Sequence, residues 1–235
     1  MQLAIDTSTD TASLALADNG KILAGVSWCC NRNHTIELLP RLEELLKQNN
    51  LDLKSLDAVM VAIGPGSYNG LRVGISTAKG LALGLDIPII GLSTLEGIAY
   101  QHTDTGLPIC PLLDVRRDEI AAALFQKQNG RWLRLKEEHI TTLETLYSQI
   151  KDKTIFCGDY ISHVENKLRS GLGTKAVIAT QATSSGLAPL LISLGLIRFK
   201  AGVFDPPASL QPLYLRQPAI TRPRKALGVS GRHPV

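Results

Sequence analysis

The stretch Gly64-Pro65-Gly66-Ser67-Tyr68-Asn69-Gly70-Leu71-Arg72 follows an apolar run and leads into a helical pattern. Glycine-rich loops at such places cradle phosphate on backbone N–H groups. This one is not a P-loop, because Leu71 and Arg72 stand where lysine and a magnesium-binding hydroxyl are required. Nor is it a dinucleotide fingerprint, whose third glycine would fall on Asn69. A helix N-terminus with Arg72 in its first turn still attracts an anion. A structural reading is better supported. Gly70, Gly74, Ala78 and Ala82 recur in steps of four, a strip of small side chains that lets another helix come close. On this reading a leucine at Gly74 is expected to leave the chain folded and to block helix pairing.

Other candidate chemistry is sparse. Asp6-Thr7-Ser8-Thr9 offers hydroxyls and one carboxylate to a phosphate or metal, and reads as a vestigial phosphate loop. The later turn Asp114-Val115-Arg116-Arg117-Asp118-Glu119 lacks the glycine a backbone cradle needs, and residues 156–168 contain only Gly158 before the final stretch. His34 is followed at i+4 by Leu38, so the paired imidazoles of a helix-borne metal site are missing, and His102, His139, His163 and His233 stand alone. Gly91-Leu92-Ser93-Thr94-Leu95 lacks the closing glycine of a hydrolase elbow.

These residues must be carried by alternating elements. Strands are predicted at 3–6, 12–17, 21–28, 57–63 and 88–92, with helices at about 34–48, 71–84 and from Ser93 or Thr94 to about 102. Asp18-Asn19-Gly20 marks a hairpin turn. Leu38, Leu39, Leu42, Leu45 and Leu46 give the first helix a broad apolar stripe, and Pro40 is expected to kink it or confine it to later residues. A second series follows: strands at 108–115, 119–126, 131–140, 154–159 and 175–179, a capping-box Thr141-Thr142-Leu143-Glu144, a helix to about 170, and a helix from Ser184 or Ser185 toward Phe199. Three strands, helix, strand, helix thus occurs twice, with a polar boundary near 103–107. The expected division is a lobe at 1–104, a lobe at 105–215 and a basic, flexible tail at 216–235. This α/β pattern resembles the two-lobed actin, Hsp70 and sugar-kinase (ASKHA) superfold, here with a degenerate nucleotide site.

Composition excludes other classes. The 235 residues are 44% hydrophobic and 20% charged, as in a globular protein. The net charge of +4 comes from Arg216, Arg222, Arg224, Lys225 and Arg232, because no acid follows Asp205 and the preceding body is close to −1. Such a tail can contact RNA; a solvated end is the plainer reading. Cys29, Cys30, Cys110 and Cys157 have no metal-site spacing and read as buried small hydrophobes in a reducing compartment. With no secretory signal and no membrane-length apolar run, the expected location is the cytoplasm.

Four segments carry a closer resemblance: AIDTSTDTASLAL, HTIELLP, IGPGSYNGLRVGISTAKGLALGLDIPIIGLSTLEGIA and PLYLR. They resemble the bacterial TsaB (YeaZ) family, non-catalytic paralogues of the tRNA-modifying transferase TsaD. The resemblance implies a scaffold subunit that pairs with TsaD, is joined by the ATPase TsaE, meets tRNA mainly through the complex, and forms homodimers when alone. ATP and metal are expected in the partner subunits, and none in this chain. The family's partner surface, formed by the first two helices, carries over onto His34, Leu38, Leu42, Leu45, Gly70, Gly74 and Ala78. The turn at 114–119 departs from the family pattern, lacking its glycine and tyrosine. Two other classes stay open: an independent kinase or peptidase, and a free-standing tRNA-binding module.

Overall fold

The structure is a computed structural model that describes residues 1–31, 33–179 and 186–216. The first sheet is built from β1 (Gln2–Asp6), β2 (Thr11–Asp18), β3 (Lys21–Cys29), β4 (Ala58–Gly64) and β5 (Ile89–Ser93), in the order β3-β2-β1-β4-β5. β2 lies antiparallel to both β1 and β3, while β1, β4 and β5 run parallel. The second sheet, from β6 (Ile109–Asp114), β7 (Ile120–Gln128), β8 (Arg131–Thr141), β9 (Thr154–Cys157) and β10 (Ala176–Ile178), has the order β10-β9-β6-β7-β8 and the same senses of pairing. The duplicated architecture read from the sequence is therefore present, strand for strand.

Helices α1 (His34–Gln48), α2 (Tyr68–Leu85) and α3 (Thr94–Tyr100) belong to the first series, and α4 (Leu143–Gln149), α5 (Ile161–Leu172) and α6 (Ala188–Lys200) to the second. α1 starts six residues before Pro40 and continues through it, so it is not confined to later residues as expected. Pro40 lies on the exposed side, where water can meet the Ile36 carbonyl that its ring nitrogen cannot bond. Ser67 and Ser93 cap α2 and α3, accepting hydrogen bonds from the Gly70 and Glu96 amides at 3.3 and 3.2 Å. α4 is capped by Thr142, one residue later than the capping box predicts, because β8 keeps Thr141 paired with Ile120. The predicted start of the last helix at Ser184 or Ser185, and the tail beyond Arg216, lie outside the described residues.

Side-chain size alternates along the first sheet. Leu3, Ile5, Leu14, Leu16, Val59 and Val61 face α1 and α2. Ala4, Ala15, Ala17, Met60 and Ala62 face α6. Small residues let α6 settle close, and Gly195 sits against Met60 and Leu92. In the second sheet, Cys110, Leu112, Ile120 and Phe156 pack on α4 and α5. Its other face, with Ile109, Ala121, Ala123 and Phe125, meets Leu95 and Ala99 of α3. The division at 104/105 therefore separates the sheets but not the packing units: α6 lies on the first sheet and α3 on the second. Of the cysteines, Cys30, Cys110 and Cys157 are buried as expected, but Cys29 is exposed. No helix among the described residues is long and apolar enough to cross a membrane.

Candidate functional site

The loop that could hold an anion, Asp6 to Thr9, joins β1 to β2 at the end where the lobes face each other. Many of its polar groups bond within the chain. Asp6 Oδ1 accepts from the Ser8 amide at 2.9 Å and the Ser8 hydroxyl at 2.6 Å. The Thr7 hydroxyl donates to the Gly70 carbonyl at 2.8 Å, and the Ser8 carbonyl accepts the Ser67 amide at 2.7 Å. His34, at the start of α1 and only 3% exposed, places Nε2 3.1 Å from the Thr9 carbonyl oxygen and 3.0 Å from Cys30 Sγ. A carbonyl only accepts, so the contact with Thr9 is a hydrogen bond in the tautomer that has its proton on Nε2. Asp6 is 2% exposed, and burial pushes its pKa up to about 6; the Asp159 charge adds to the rise, while the Ser8 donors and His34 oppose it.

The facing turn is built from side chains. Arg116, Arg117 and Asp118 all take left-handed backbone, with φ of 68°, 60° and 58°, although none is glycine. Asp114 Oδ1 holds the Arg116 amide at 2.8 Å, and Glu119 pairs with Arg216. Gly158 is the position in this region that needs to lack a side chain: φ is 105°, and a Cβ there would sit 2.5 Å from the Leu112 carbonyl oxygen.

The residues expected at a partner interface are inside the chain. Leu38, Leu42 and Leu45 are 1%, 3% and 5% exposed and pack on the first sheet. Gly70, Gly74 and Ala78 are buried as well, and a Cβ on Gly70 or Gly74 would collide with the Thr7 carbonyl or hydroxyl. The small strip therefore serves the close approach of α2 to β1, and these seven side chains, His34 included, offer no surface as the chain stands. The expectation that leucine at Gly74 leaves the fold intact falls with it.

The opposite side of α2 has the property the inner strip was credited with. Ser76, Gly80 and Gly84 recur in steps of four and are exposed, and a Cβ on Gly80 or Gly84 would meet nothing within 4 Å. Leu83 beside them is 69% exposed, and on neighbouring α1 Ile36 and Leu39 are 70% and 54% exposed. Tyr68, at the start of α2, stacks on Tyr214 with ring centroids 5.0 Å apart, and Arg72 lies over the Tyr68 ring. Leu83 beside Gly80 and Gly84 on α2, and Ile36 and Leu39 on α1, leave apolar side chains open on the outer sides of both helices. The sequence signal was available. The inner strip is flanked by Leu71 and Ile75, the outer one by Arg72 and Lys79.

Two sheets of the same mixed topology, joined in one chain, define a two-lobed protein of the actin, Hsp70 and sugar-kinase superfold. The family model for TsaD, tRNA N6-adenosine threonylcarbamoyltransferase, matches residues 28–194. The chain is 34% identical to the tRNA threonylcarbamoyladenosine biosynthesis protein TsaB of Bacillus subtilis over 219 residues, covering 91% of this chain and 93% of that protein. The chain belongs to the TsaB family. YeaZ from Pseudomonas aeruginosa superimposes with a TM-score of 0.76 at 25% identity, over 91% of this chain and 99% of that one. The tRNA N6-adenosine threonylcarbamoyltransferase of Salinibacter ruber is 34% identical over 114 residues, 42% of this chain and 34% of that protein.

Proposed function

We propose that this chain is a non-catalytic subunit of tRNA threonylcarbamoyladenosine biosynthesis, which pairs with a TsaD-type transferase through the outer faces of α1 and α2. The ATPase TsaE joins that pair, tRNA is met mainly through the assembly, and the same face makes a homodimer when the partner is missing. ATP and metal belong to the partner subunits, and the assembly works in the cytoplasm.

The observation that carries the reading is the outer side of α2, with Gly80 and Gly84 open to solvent beside exposed Leu83, together with exposed Ile36 and Leu39 on α1. Similarity to both TsaB and TsaD relatives supports a paired origin. The non-catalytic role is supported by where the cleft's polar groups are engaged: Thr7 on Gly70, Asp6 on Ser8, His34 on Thr9. Leu38, at the position a second metal-binding imidazole would take, is a core residue.

The test is co-expression with the cell's TsaD paralogue, followed by native mass measurement of wild type and of Ile36→Asp/Leu39→Asp. Wild type is expected to run as a heterodimer and the double variant as a folded monomer. A double variant that still pairs removes the proposed face. Steady ATP turnover by the chain alone removes the non-catalytic reading.

A further inference from the structure

The last described residues are anchored at two points. The Leu213 amide donates to the Ile63 carbonyl of β4 at 2.7 Å, and Arg216 pairs with Glu119 in the 114–119 turn. Between those anchors Tyr214 stacks on Tyr68, the first residue of α2, with ring centroids 5.0 Å apart and planes 28° from parallel. The pair is not core: Tyr68 is 41% exposed and Tyr214 37% exposed. Arg72, one turn further along α2, is also exposed, lies 5.3 Å from the Tyr68 ring centroid and donates to its hydroxyl at 2.8 Å. That bond goes to a neutral oxygen and leaves the guanidinium charge uncompensated. Large aromatic side chains left open to water characterise contact surfaces.

Charge selects the occupant. In the turn beside Tyr214, Arg116, Arg117 and Arg216 are offset by Asp114, Asp118 and Glu119, so this turn adds no net charge. The sequence after Arg216 does add charge, with Arg222, Arg224, Lys225 and Arg232 and no acid among them. Arg222 and Lys225 are 8 and 11 residues beyond Tyr214, a span of at most about 40 Å. An occupant must therefore offer flat π faces to the tyrosines and a line of negative charge to the cations. An unpaired nucleic-acid strand offers both.

We propose that Tyr68, Tyr214 and Arg72 form a platform on which this chain stacks the bases of an unpaired RNA segment, while the basic residues after Arg216 bind its phosphates. No bond is made or broken. The choice of RNA rests on the proposed place in tRNA modification; the binding does not, because it is measured on the chain without a partner. The platform stands at the start of α2, about 18 Å along the helix axis from Gly80, so mutation can separate it from the proposed pairing face.

The probe is fluorescein-labelled dodecauridylate, followed by anisotropy on the full chain alone from about 0.05 to 0.3 M salt. Wild type should bind with a Kd of about 100 µM or tighter at about 0.15 M salt, and log K should fall against log salt with a slope of about −3.5, five cations at about 0.7 each. Replacing Arg222, Arg224, Lys225 and Arg232 together by glutamine should bring the slope to about −0.7. Tyr214→Ala should weaken binding about fivefold or more at every salt concentration and leave the slope unchanged, and Tyr214→Phe should bind as wild type does. An abasic strand of the same length should bind about fivefold or more weakly. Arg72→Gln changes only an exposed side chain and should lower the slope by about 0.7, which tests the platform even where melts show that Tyr214→Ala does not fold. The proposal is overturned by no saturable binding, by equal binding of the abasic strand, by an Arg72→Gln variant with the wild-type slope, or by a folded Tyr214→Ala variant that binds as wild type does. Weakened pairing with the TsaD paralogue and unchanged RNA binding in that last variant would make the platform a protein contact, and would likewise overturn it. RNA binding that survives where pairing fails refutes the pairing alone.

Discussion

Replacing Gly80 by leucine separates folding from pairing, because the structure assigns opposite surroundings to two glycines of one helix. At Gly80 a new Cβ meets nothing, so the substitution exchanges a poor helix former for a good one. The expected gain is about 0.5–1 kcal/mol, or a rise in Tm of about 1–4 °C for a chain of this size. The same leucine fills the furrow between Ser76 and Gly84 and holds a partner helix off. Loss of a close-packed central contact of this kind costs about 2 kcal/mol or more, roughly thirtyfold in Kd. At Gly74 the sign reverses. Its Cβ would strike the Thr7 hydroxyl, which is fixed by its bond to the Gly70 carbonyl. Gly74→Ala should cost about 1–3 kcal/mol from overpacking, and Gly74→Leu more. Thermal melts of the purified chain and native mass spectra with the TsaD paralogue read the two effects separately. A folded Gly80→Leu variant that pairs at wild-type affinity would refute the furrow as the contact, and a Gly74→Ala variant as stable as wild type would refute the packing argument.

Asp6 should make stability depend on pH in a way that Asp6→Asn removes. Its folded pKa of about 6 lies above the ordinary carboxyl value of 3.8, so the stability it contributes is full below pH 3.8 and is lost as pH rises to 6, about 3 kcal/mol in all. The advantage of Asp6→Asn over wild type in urea melts should therefore grow across that window and stay flat above it; a constant difference from pH 3.5 to 7.5 would contradict the buried carboxyl. His34→Ala leaves the Thr9 carbonyl without its donor and opens a cavity, at a cost of about 2–3 kcal/mol, and amide exchange across residues 6–11 should quicken; unchanged exchange would show that the imidazole does not brace the loop. Arg198 donates to the Gly91 carbonyl at 2.8 Å while Asp205 accepts the Gly91 amide at 2.8 Å, so this pair satisfies the free edge of β5. Arg198→Met should lower stability by about 1 kcal/mol and raise aggregation on heating, measured by light scattering.

Much of the fold was legible because it is written in periods. L-A-I and L-A-L-A alternate large with small, which tells strand from helix and also which face receives the closer helix. The error about α2 came from the same kind of reading. A helix turns about 100° per residue, so Gly74 and Gly80 lie about 240° apart, and both belong to strips of small residues spaced by four. Periodicity alone does not say which strip faces inward. That is decided by Thr7, distant in sequence, whose hydroxyl fills the space beside Gly74. The reciprocal placement of α3 and α6 was hidden for a related reason: local pattern assigns a helix a face, not a sheet. α6 is apolar nearly all round, which fits burial but gives no address. The Tyr68–Tyr214 stack was beyond reach altogether, since the two rings are distant in sequence and meet only in the folded chain.

The internal use of the Asp6–Thr9 loop has a mechanical consequence for the proposed docking face. In a phosphate-binding loop these N–H and hydroxyl groups are left open to a ligand, and the loop stays compliant until one arrives. Here Thr7 is tied to α2 through Gly70, Ser8 to the α2 cap through Ser67, and Thr9 to α1 through His34. The loop has become a brace that fixes the two helices against β1 and against each other. A face held rigid before contact loses less conformational entropy on pairing, and more of its apolar area appears as affinity. The brace predicts coupling between sites that do not touch: His34→Ala, wholly buried and far from any partner, should weaken pairing by more than its local position suggests, mostly through faster dissociation. Wild-type dissociation of the pair despite a loosened loop would show that the helices hold their geometry by core packing alone.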